Sequence, residues 1–161
     1  MSINELYRTH GPSVHRRARE LLGNDNDARE MVQEIFLSLL NDPKQFKGRS
    51  TFSTWLYSAT THRCLNRLRD QRTRARLIGE ELQVGEAAAE TGRSEAVALL
   101  RQTLARMPAE LAVVAVHYYL DEMSHEEIAR IVGCSRRHIG DLLVRLQEWA
   151  QRDAEASCRS S

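Results

Sequence analysis

Apolar residues recur three and four positions apart along most of the chain, the spacing that gathers them on one face of an α-helix. The clearest stripe consists of Met31, Val32, Ile35, Phe36, Leu39 and Leu40. Similar stripes recur in residues 3–22, 52–68, 95–104, 109–120, 125–132 and 136–149. Alternating patterns and β-branched runs, which favour strands, are rare. The pattern therefore predicts an all-α fold.

A stretch rich in Glu, Ala and Gly divides these helices into two groups. Residues 77–94 contain no sustained apolar stripe, which is typical of a flexible linker. We therefore predict two small helical domains joined by that linker, one over residues 1–76 and one over residues 95–152. The tail, residues 153–161, is predicted to be disordered.

Polar residues predict where the helices of the first domain begin. A Gly-Pro pair inside residues 3–22 leaves open whether they form one helix or two. Asp27 and Glu30 have the spacing of a capping box, which predicts a helix that starts at Asp27. Ser50 or Thr51 is placed to cap the next helix after a loop.

The tightest local pattern lies in the second domain. Ser124 and Glu127 form a capping box that opens a short helix. Gly133 ends that helix where a left-handed backbone is needed, and Ser135 caps another helix two residues later. Two helices joined by so tight a turn are typical of a helix-turn-helix, whose second helix meets base edges in the major groove. Its outward residues here are Ser135, Arg136, Arg137, His138, Asp141 and Arg145.

Positive charge is concentrated in residues 44–76. This stretch carries nine Lys and Arg against one acid, a net charge of +8, whereas the whole chain carries only +1. Four aromatic residues are interleaved with the bases: Phe46, Phe52, Trp55 and Tyr57. Rings stack on nucleotide bases while arginines meet phosphates, so the combination indicates a surface for single-stranded nucleic acid. Trp55 and Leu56 are predicted to be core instead. The candidates for contact on the predicted helix are Arg63, Asn66 and Arg67.

The helix that begins near Asp27 has a second, polar face. This face carries Glu30, Gln33, Glu34 and Leu37. Single exposed leucines are common on protein surfaces, so the face is either solvated or a docking surface for a partner helix. The residues alone leave both interpretations open.

Composition and motifs argue against a membrane, disulfide or metal protein. No apolar run approaches the about 20 residues of a membrane span, and the amino terminus lacks a signal peptide, so a cytoplasmic protein is expected. Three cysteines at unrelated spacings argue against a disulfide framework. His125 and Glu126 begin like a zinc-protease motif, but Ala129 replaces the second ligand, and Cys134 with His138 supplies only two. We expect no metal, no cofactor and no enzymatic activity.

Three segments in this order resemble the bacterial sigma factors of the extracytoplasmic-function group: DAREMVQEIFLSLL, FKGRSTFSTWLY with the arginines after it, and the helix-turn-helix. The resemblance covers nearly the whole chain. It implies that the first domain corresponds to sigma region 2 and the second to sigma region 4. It also implies promoter-specific transcription initiation with core RNA polymerase, and an anti-sigma factor as inhibitor.

The resemblance gives each group of candidates a role. The polymerase clamp would be gripped by Asp27, Glu30, Gln33, Glu34 and Leu37. The minus-ten promoter element would be melted, and its flipped bases held, by Lys47, Arg49, Ser50, Thr51, Arg63, Asn66 and Arg67. The second domain would bind the polymerase flap and read the minus-thirty-five element as duplex through the outward residues of its helix-turn-helix.

The second domain departs from the basic recognition helix that the resemblance implies. Gly140, Asp141 and Glu148 interrupt it, and residues 108–161 carry six Arg against nine acids, a net charge of −3. We therefore expect promoter binding to depend mainly on the first domain together with polymerase.

Two other functions compete with the sigma interpretation. A free-standing helix-turn-helix regulator would explain residues 108–150 but would leave the first half of the chain without a role. An anti-sigma or adaptor protein that contacts only proteins is disfavoured by the charge of +8 in residues 44–76.

Overall fold

The computed structural model describes residues 2–79 and 91–160, with residues 91–94 as backbone only. Its helices are α1 (Ile3–Leu22), α2 (Asp25–Asn41), α3 (Phe52–Leu77), α4 (Thr91–Arg106), α5 (Ala109–Ala115), α6 (His125–Val132) and α7 (Arg136–Arg159). A 3₁₀ turn, Pro43–Gln45, follows α2, and a π-helical turn, Val116–Leu120, extends α5. The described residues contain no strand, and the chain divides into two compact units, Met1–Arg106 and Met107–Ser161. The prediction of an all-α fold with two helical domains is confirmed.

The first unit is built on α1, which packs against both α2 and α3. The stripe of α2 faces inward as predicted, except for Leu40, whose side chain is exposed. The Gly-Pro pair does not break α1, because loss of one backbone hydrogen bond at Pro12 is offset by packing along the helix. Gly11 is buried in that packing, with the Tyr7 ring 4.0 Å from the position of an added Cβ.

Helix α2 begins earlier than the predicted capping box. Asn24 caps it, and its Oδ1 accepts a hydrogen bond of 2.8 Å from the backbone N–H of Asp27. Asp27 therefore lies inside the first turn, where its carboxylate accepts from the Asn24 amide at 2.7 Å. The predicted cap of the next helix is confirmed at Thr51, whose hydroxyl accepts from the N–H of Thr54 at 3.2 Å.

Helix α4 belongs to the first unit. It packs against α3, and the Arg101 guanidinium donates to the carbonyl of Glu20 through Nε at 3.1 Å and Nη2 at 2.9 Å. Arg101 thus satisfies a carbonyl in the last turn of α1, a position that has no partner within the helix. Within the predicted linker, residues 80–90 lie outside the described residues, whereas α4 already begins at Thr91.

The second unit holds α5 and α6 against α7. Its most deeply buried side chains include Val114, Val116, His117, Ile128, Ile139 and Leu142. The predicted apolar stripes over residues 109–120 and 125–132 are not buried throughout. Val132 is 44% exposed, and Tyr118 and Tyr119 are also exposed. The π-helical turn explains the tyrosines, since an extra residue in the turn rotates the face that follows it.

The carboxyl-terminal tail was predicted to be disordered, but α7 continues through it to Arg159. The segment contains no glycine or proline, and alanine, glutamate and arginine are good helix formers that extend a helix already nucleated by packing. Among the described residues, no helix combines the length and apolarity that crossing a bilayer requires.

Candidate nucleic-acid and partner interfaces

Four aromatic rings form a cluster where the loop after α2 enters α3. The Phe46 ring lies 5.4 Å from that of Phe52 and 5.7 Å from that of Trp55, and Phe52 lies 5.8 Å from Trp55. His10 of α1 joins the cluster at 5.1 Å from Phe52. All four side chains are half-buried, whereas Leu56 is fully buried as predicted. We call these four residues the ring cluster.

The loop beside the ring cluster is held to α2 by Gln45. Its amide donates to the carbonyl of Ser38 at 2.7 Å and to the Ser38 hydroxyl at 2.9 Å. The loop also carries three exposed cations, Lys44, Lys47 and Arg49. A loop fixed in this way holds positive charge next to partly accessible rings, a combination that proteins use to bind single-stranded nucleic acid.

The acidic face of α2 is exposed. Glu30, Gln33, Glu34 and Leu37 all lie on the surface, and the Leu37 side chain is 57% exposed. Asp27, which was grouped with them, is half-buried. The face therefore offers carboxylates, an amide and one apolar side chain to a partner.

Polar contacts join α2 to α3 along the length of the acidic face. Arg67 pairs with Glu34 through Nη2 and with Glu30 through Nη1, the latter at 3.5 Å. Arg63 Nη2 donates to the Ser38 hydroxyl at 2.8 Å, and the Gln71 amide donates to Asp27 at 3.2 Å. The α2–α3 ladder is defined by these seven residues: Asp27, Glu30, Glu34, Ser38, Arg63, Arg67 and Gln71. It engages two of the arginines that were predicted to contact DNA.

The remaining candidates near the ring cluster are more accessible. Thr51 is exposed and Ser50 is half-buried, and the Ser50 hydroxyl donates to the carbonyl of Thr51 at 3.1 Å. Asn66 is half-buried, and its carbonyl oxygen accepts from Arg69 at 3.0 Å. The structure thus brings Lys47, Arg49, Ser50 and Thr51 together in one exposed loop, and it sets Arg63, Asn66 and Arg67 apart from them along α3.

The helix-turn-helix forms as its sequence pattern predicts. The Ser124 hydroxyl accepts from the N–H of Glu127 at 3.2 Å, and the Glu127 carboxylate accepts from the N–H of Ser124 at 2.7 Å. Gly133 adopts the left-handed conformation with φ of 83°. The Ser135 hydroxyl then accepts from the N–H of His138 at 3.1 Å.

The predicted base-reading residues of α7 share one property, which is exposure to solvent. They are Ser135, Arg136, Arg137, His138, Asp141 and Arg145. Two of them pair with acids of neighbouring helices: Arg136 with Glu126 at 3.4 Å and Arg145 with Glu110 at 3.2 Å. Exposed pairs of this kind are worth little, so neither arginine is prevented from meeting another partner.

The cysteines offer no reactive centre in the first unit or at the turn. Burial raises the pKa of the Cys64 thiol to about 12, and burial also raises the pKa of Cys134. Raised thiol pKa values leave little of the nucleophilic thiolate at neutral pH. In the part of the chain that the structure describes, no three His, Cys, Asp or Glu side chains gather as metal ligands would.

Comparison with known families and proteins identifies the chain. The family model of sigma-70 region 2 matches residues 6–74, and that of sigma-70 region 4 matches residues 98–145. The extracytoplasmic-function (ECF) RNA polymerase sigma-E factor of Escherichia coli is 30% identical over 135 residues, which cover 76% of this chain and 71% of that protein. The chain belongs to the ECF sigma factors.

Other relatives of this sigma factor differ in how much of their length this chain spans. The ECF sigma factor SigE of Mycolicibacterium smegmatis is 30% identical over 82% of this chain, and the chain spans 53% of that relative. SigM of Mycobacterium tuberculosis is 27% identical over 82% of this chain, which spans 66% of SigM. The sigma factor YlaC of Bacillus subtilis is 27% identical over 89% of this chain and 87% of its own length.

Two solved structures share the fold of this sigma factor. RpoE of Bartonella quintana, solved with the anti-sigma factor NepR, aligns with a TM-score of 0.55 and 17% identity over 92% of this chain and 94% of that chain. CnrH, solved with the cytosolic domain of CnrY, aligns with a TM-score of 0.55 and 21% identity over 94% of this chain and 88% of that chain. At these identities the likeness concerns the fold alone.

The matched stretches of the sigma factor enclose the features described above. The region 2 match contains the ring cluster, the acidic face and the α2–α3 ladder, and the region 4 match contains the helix-turn-helix. The region 4 match also begins within α4, a helix that packs in the first unit. The predicted domain limits at residues 76 and 95 stay predictions.

Sequence reasoning missed His10 in the ring cluster, Gln45 in the loop and the α2–α3 ladder as a whole. Only the ladder had left a signal. Its α3 members, residues 63, 67 and 71, are four positions apart. Their partners on α2 follow in the reverse order along the chain: residue 38, then residues 34 and 30, then residue 27. Antiparallel helices bring such series face to face, so a search for matched four-residue spacings of polar residues would have found it.

Proposed function

We propose that this protein binds core RNA polymerase and directs it to specific promoters, where it reads the minus-thirty-five duplex and melts the minus-ten element. The observation that carries the proposal is the order of parts in one chain. A region 2 unit with an acidic face and a basic loop precedes a helix-turn-helix whose outward residues are exposed. A free-standing regulator has no use for the first unit.

The acidic face of α2 is proposed to grip the polymerase clamp. Glu30, Gln33, Glu34 and Leu37 are exposed and can contact a partner directly. Asp27 is half-buried and accepts hydrogen bonds from Asn24 and Gln71, so its part is to hold the start of α2 in place. An apolar side chain surrounded by polar ones matches the apolar core and polar rim of a protein–protein interface.

The basic loop and ring cluster are proposed to hold the melted minus-ten strand. Lys47 and Arg49 would meet phosphates, and the hydroxyls of Ser50 and Thr51 would bond to unstacked bases or phosphates. Pulling a base out of the duplex costs a few kcal/mol, which stacking and phosphate contacts offset. The position of the cations beside half-buried rings supports this role.

The helix-turn-helix is proposed to read the minus-thirty-five element. Arg136 and Arg137 open α7, where the forked guanidinium of arginine can match guanine in the major groove. The net charge of −3 in residues 108–161 gives this unit little non-specific attraction to DNA. Its contribution to promoter binding therefore depends on polymerase, whose flap it is proposed to contact.

An anti-sigma factor is proposed as the inhibitor, since a protein that covers the two interfaces would block both polymerase and DNA. The role consists of binding and requires no catalytic residue of the sigma factor itself. Because its proposed partners are core polymerase and promoter DNA, we propose a cytoplasmic location.

The polymerase contact is tested by the variant Leu37→Ala in the full chain. We expect binding to purified bacterial core RNA polymerase to weaken about tenfold, as the loss of a contact worth about 1.4 kcal/mol would produce. The matched control is Leu77→Ala, which truncates an 80% exposed leucine at the end of α3. Equal affinity of Leu37→Ala and wild type for core would remove α2 from the proposed interface.

A further inference from the structure

Arg67 lies between the two proposed interfaces of the first unit. From the sequence, Arg67 and Arg63 were both predicted to contact DNA. In the structure its guanidinium spans two carboxylates of α2, with Nη2 on Glu34 and Nη1 at 3.5 Å from Glu30. Only 20% of the Arg67 side chain is exposed. The loop cations Lys47 and Arg49, by contrast, are exposed.

We infer that Arg67 is a positioning residue for polymerase binding, which holds Glu30 and Glu34 in one arrangement and makes no contact with DNA. The inference rests on the proposed function, because it takes the acidic face of α2 as the polymerase contact. It transfers one arginine from the DNA interface to the support of the polymerase interface.

The chemistry of the site favours this role. Glu30 and Glu34 stand one helical turn apart, where like charges repel and each long side chain has several rotamers. The planar guanidinium has five donors and can bond to both carboxylates at once, which a lysine cannot do with the same geometry. The three groups keep one net negative charge, and each carboxylate keeps lone pairs for a basic partner.

Restricting these carboxylates before binding should raise affinity. An interface pays about 0.5–1.5 kcal/mol for each long side chain that it must immobilise. Arg67 restricts the Glu30 and Glu34 side chains already in the folded, unbound protein, because α3 holds its guanidinium against α2. The polymerase therefore has less side-chain freedom left to remove on binding. The neighbouring rungs of the α2–α3 ladder, Arg63 on Ser38 at 2.8 Å and Gln71 on Asp27 at 3.2 Å, fix α3 against α2 on either side of it.

The test compares Arg67→Gln, Arg67→Lys and the control Arg16→Gln in the full chain. Arg16 is an exposed arginine of α1, so its variant removes the same charge without touching the ladder. We expect Arg67→Gln to weaken binding to core polymerase about five- to tenfold. Arg67→Lys should recover part of that loss, and Arg16→Gln should bind core within about twofold of wild type.

A second measurement separates positioning from DNA contact. The affinity of each holoenzyme for promoter DNA is measured over a range of salt concentrations. A lost phosphate contact lowers the salt slope by about 0.7 on single-stranded DNA and about 0.9 on duplex. We expect Arg67→Gln holoenzyme to keep the wild-type slope when sigma is saturating.

A third measurement asks whether Arg67 acts through the carboxylates. In the background Glu30→Gln with Glu34→Gln, the further change Arg67→Gln should alter core binding by less than about twofold, because the groups it positions are gone. An equally large loss in both backgrounds would overturn the inference, as would unchanged core affinity with a reduced salt slope. If the wild-type protein failed to bind core, the proposed function itself would be wrong. If the wild type bound core normally and Arg67→Gln bound it equally well, only the inference about Arg67 would be overturned.

Discussion

Replacing two of the three exposed cations of the loop beside the ring cluster tests the proposed DNA interface most sharply. The perturbation is Lys47→Gln with Arg49→Gln. Both side chains are exposed, and neither makes a hydrogen bond or ion pair within the described residues. Changes at such positions usually alter the free energy of unfolding by less than about 0.5 kcal/mol, so an effect on DNA binding can be separated from an effect on folding.

The magnitude follows from two phosphate contacts. Each contact contributes about 0.7 to the slope of log affinity against log salt on single-stranded DNA and about 0.9 on duplex. Losing both lowers the slope by about 1.4 to 1.8. Between about 50 mM and about 200 mM salt, the ratio of wild-type to variant affinity should therefore shrink by about 7- to 12-fold.

The assay is holoenzyme binding to labelled promoter DNA over that salt range, with sigma saturating on core. The double variant Arg8→Gln with Arg16→Gln is the matched control, because both arginines are exposed on α1 and the charge change is equal. The control should keep the wild-type slope. A Lys47 and Arg49 double variant with the wild-type slope would show that neither side chain contacts a phosphate and would refute the proposed minus-ten interface.

Two further predictions concern the thiols and a helix interior. The Cys64 thiol is fully buried and its pKa is raised to about 12, so it should resist alkylation at pH 8 in the folded protein and react only after unfolding. Mass spectrometry should find the label at exposed Cys158 first. Rapid labelling of Cys64 in the native protein would contradict its burial. Gly140→Ala should stabilise the protein by about 0.5–1 kcal/mol, since an added Cβ meets nothing within 4 Å and glycine is unfavourable inside a helix. Urea unfolding measures this change. A lower unfolding midpoint for Gly140→Ala than for wild type would contradict the prediction and show that the position requires glycine.

Local rules predicted the helix-turn-helix well. Ser124, Gly133 and Ser135 act within a few residues of chain, through caps and one left-handed turn, so their structure follows from sequence spacing alone. The same rules erred at Asp27, because Asn24 offered an equally good cap three residues earlier. They also erred after Arg152, where helix propensity and an already packed α7 outweighed the polar composition of the tail.

Tertiary contacts decided what the sequence pattern left ambiguous. The charge of residues 44–76 was visible in the sequence, but its division between a free loop and the α2–α3 ladder was not, because Arg67 finds its carboxylates on another helix. The position of α4 was equally hidden, since the Arg101 hydrogen bonds to Glu20 join residues 81 positions apart. Helical periodicity predicts which face is apolar, and it does not predict which element covers that face.

Transcription by reconstituted holoenzyme tests directly whether this protein works as a promoter-specific sigma factor. The purified chain is mixed with bacterial core RNA polymerase and a library of promoter DNAs, and the initiated transcripts are sequenced. We expect initiation from a subset of the library, and only when both the chain and core are present. Failure to bind core, together with specific binding of the chain alone to intact duplex, would contradict it and favour a free-standing regulator.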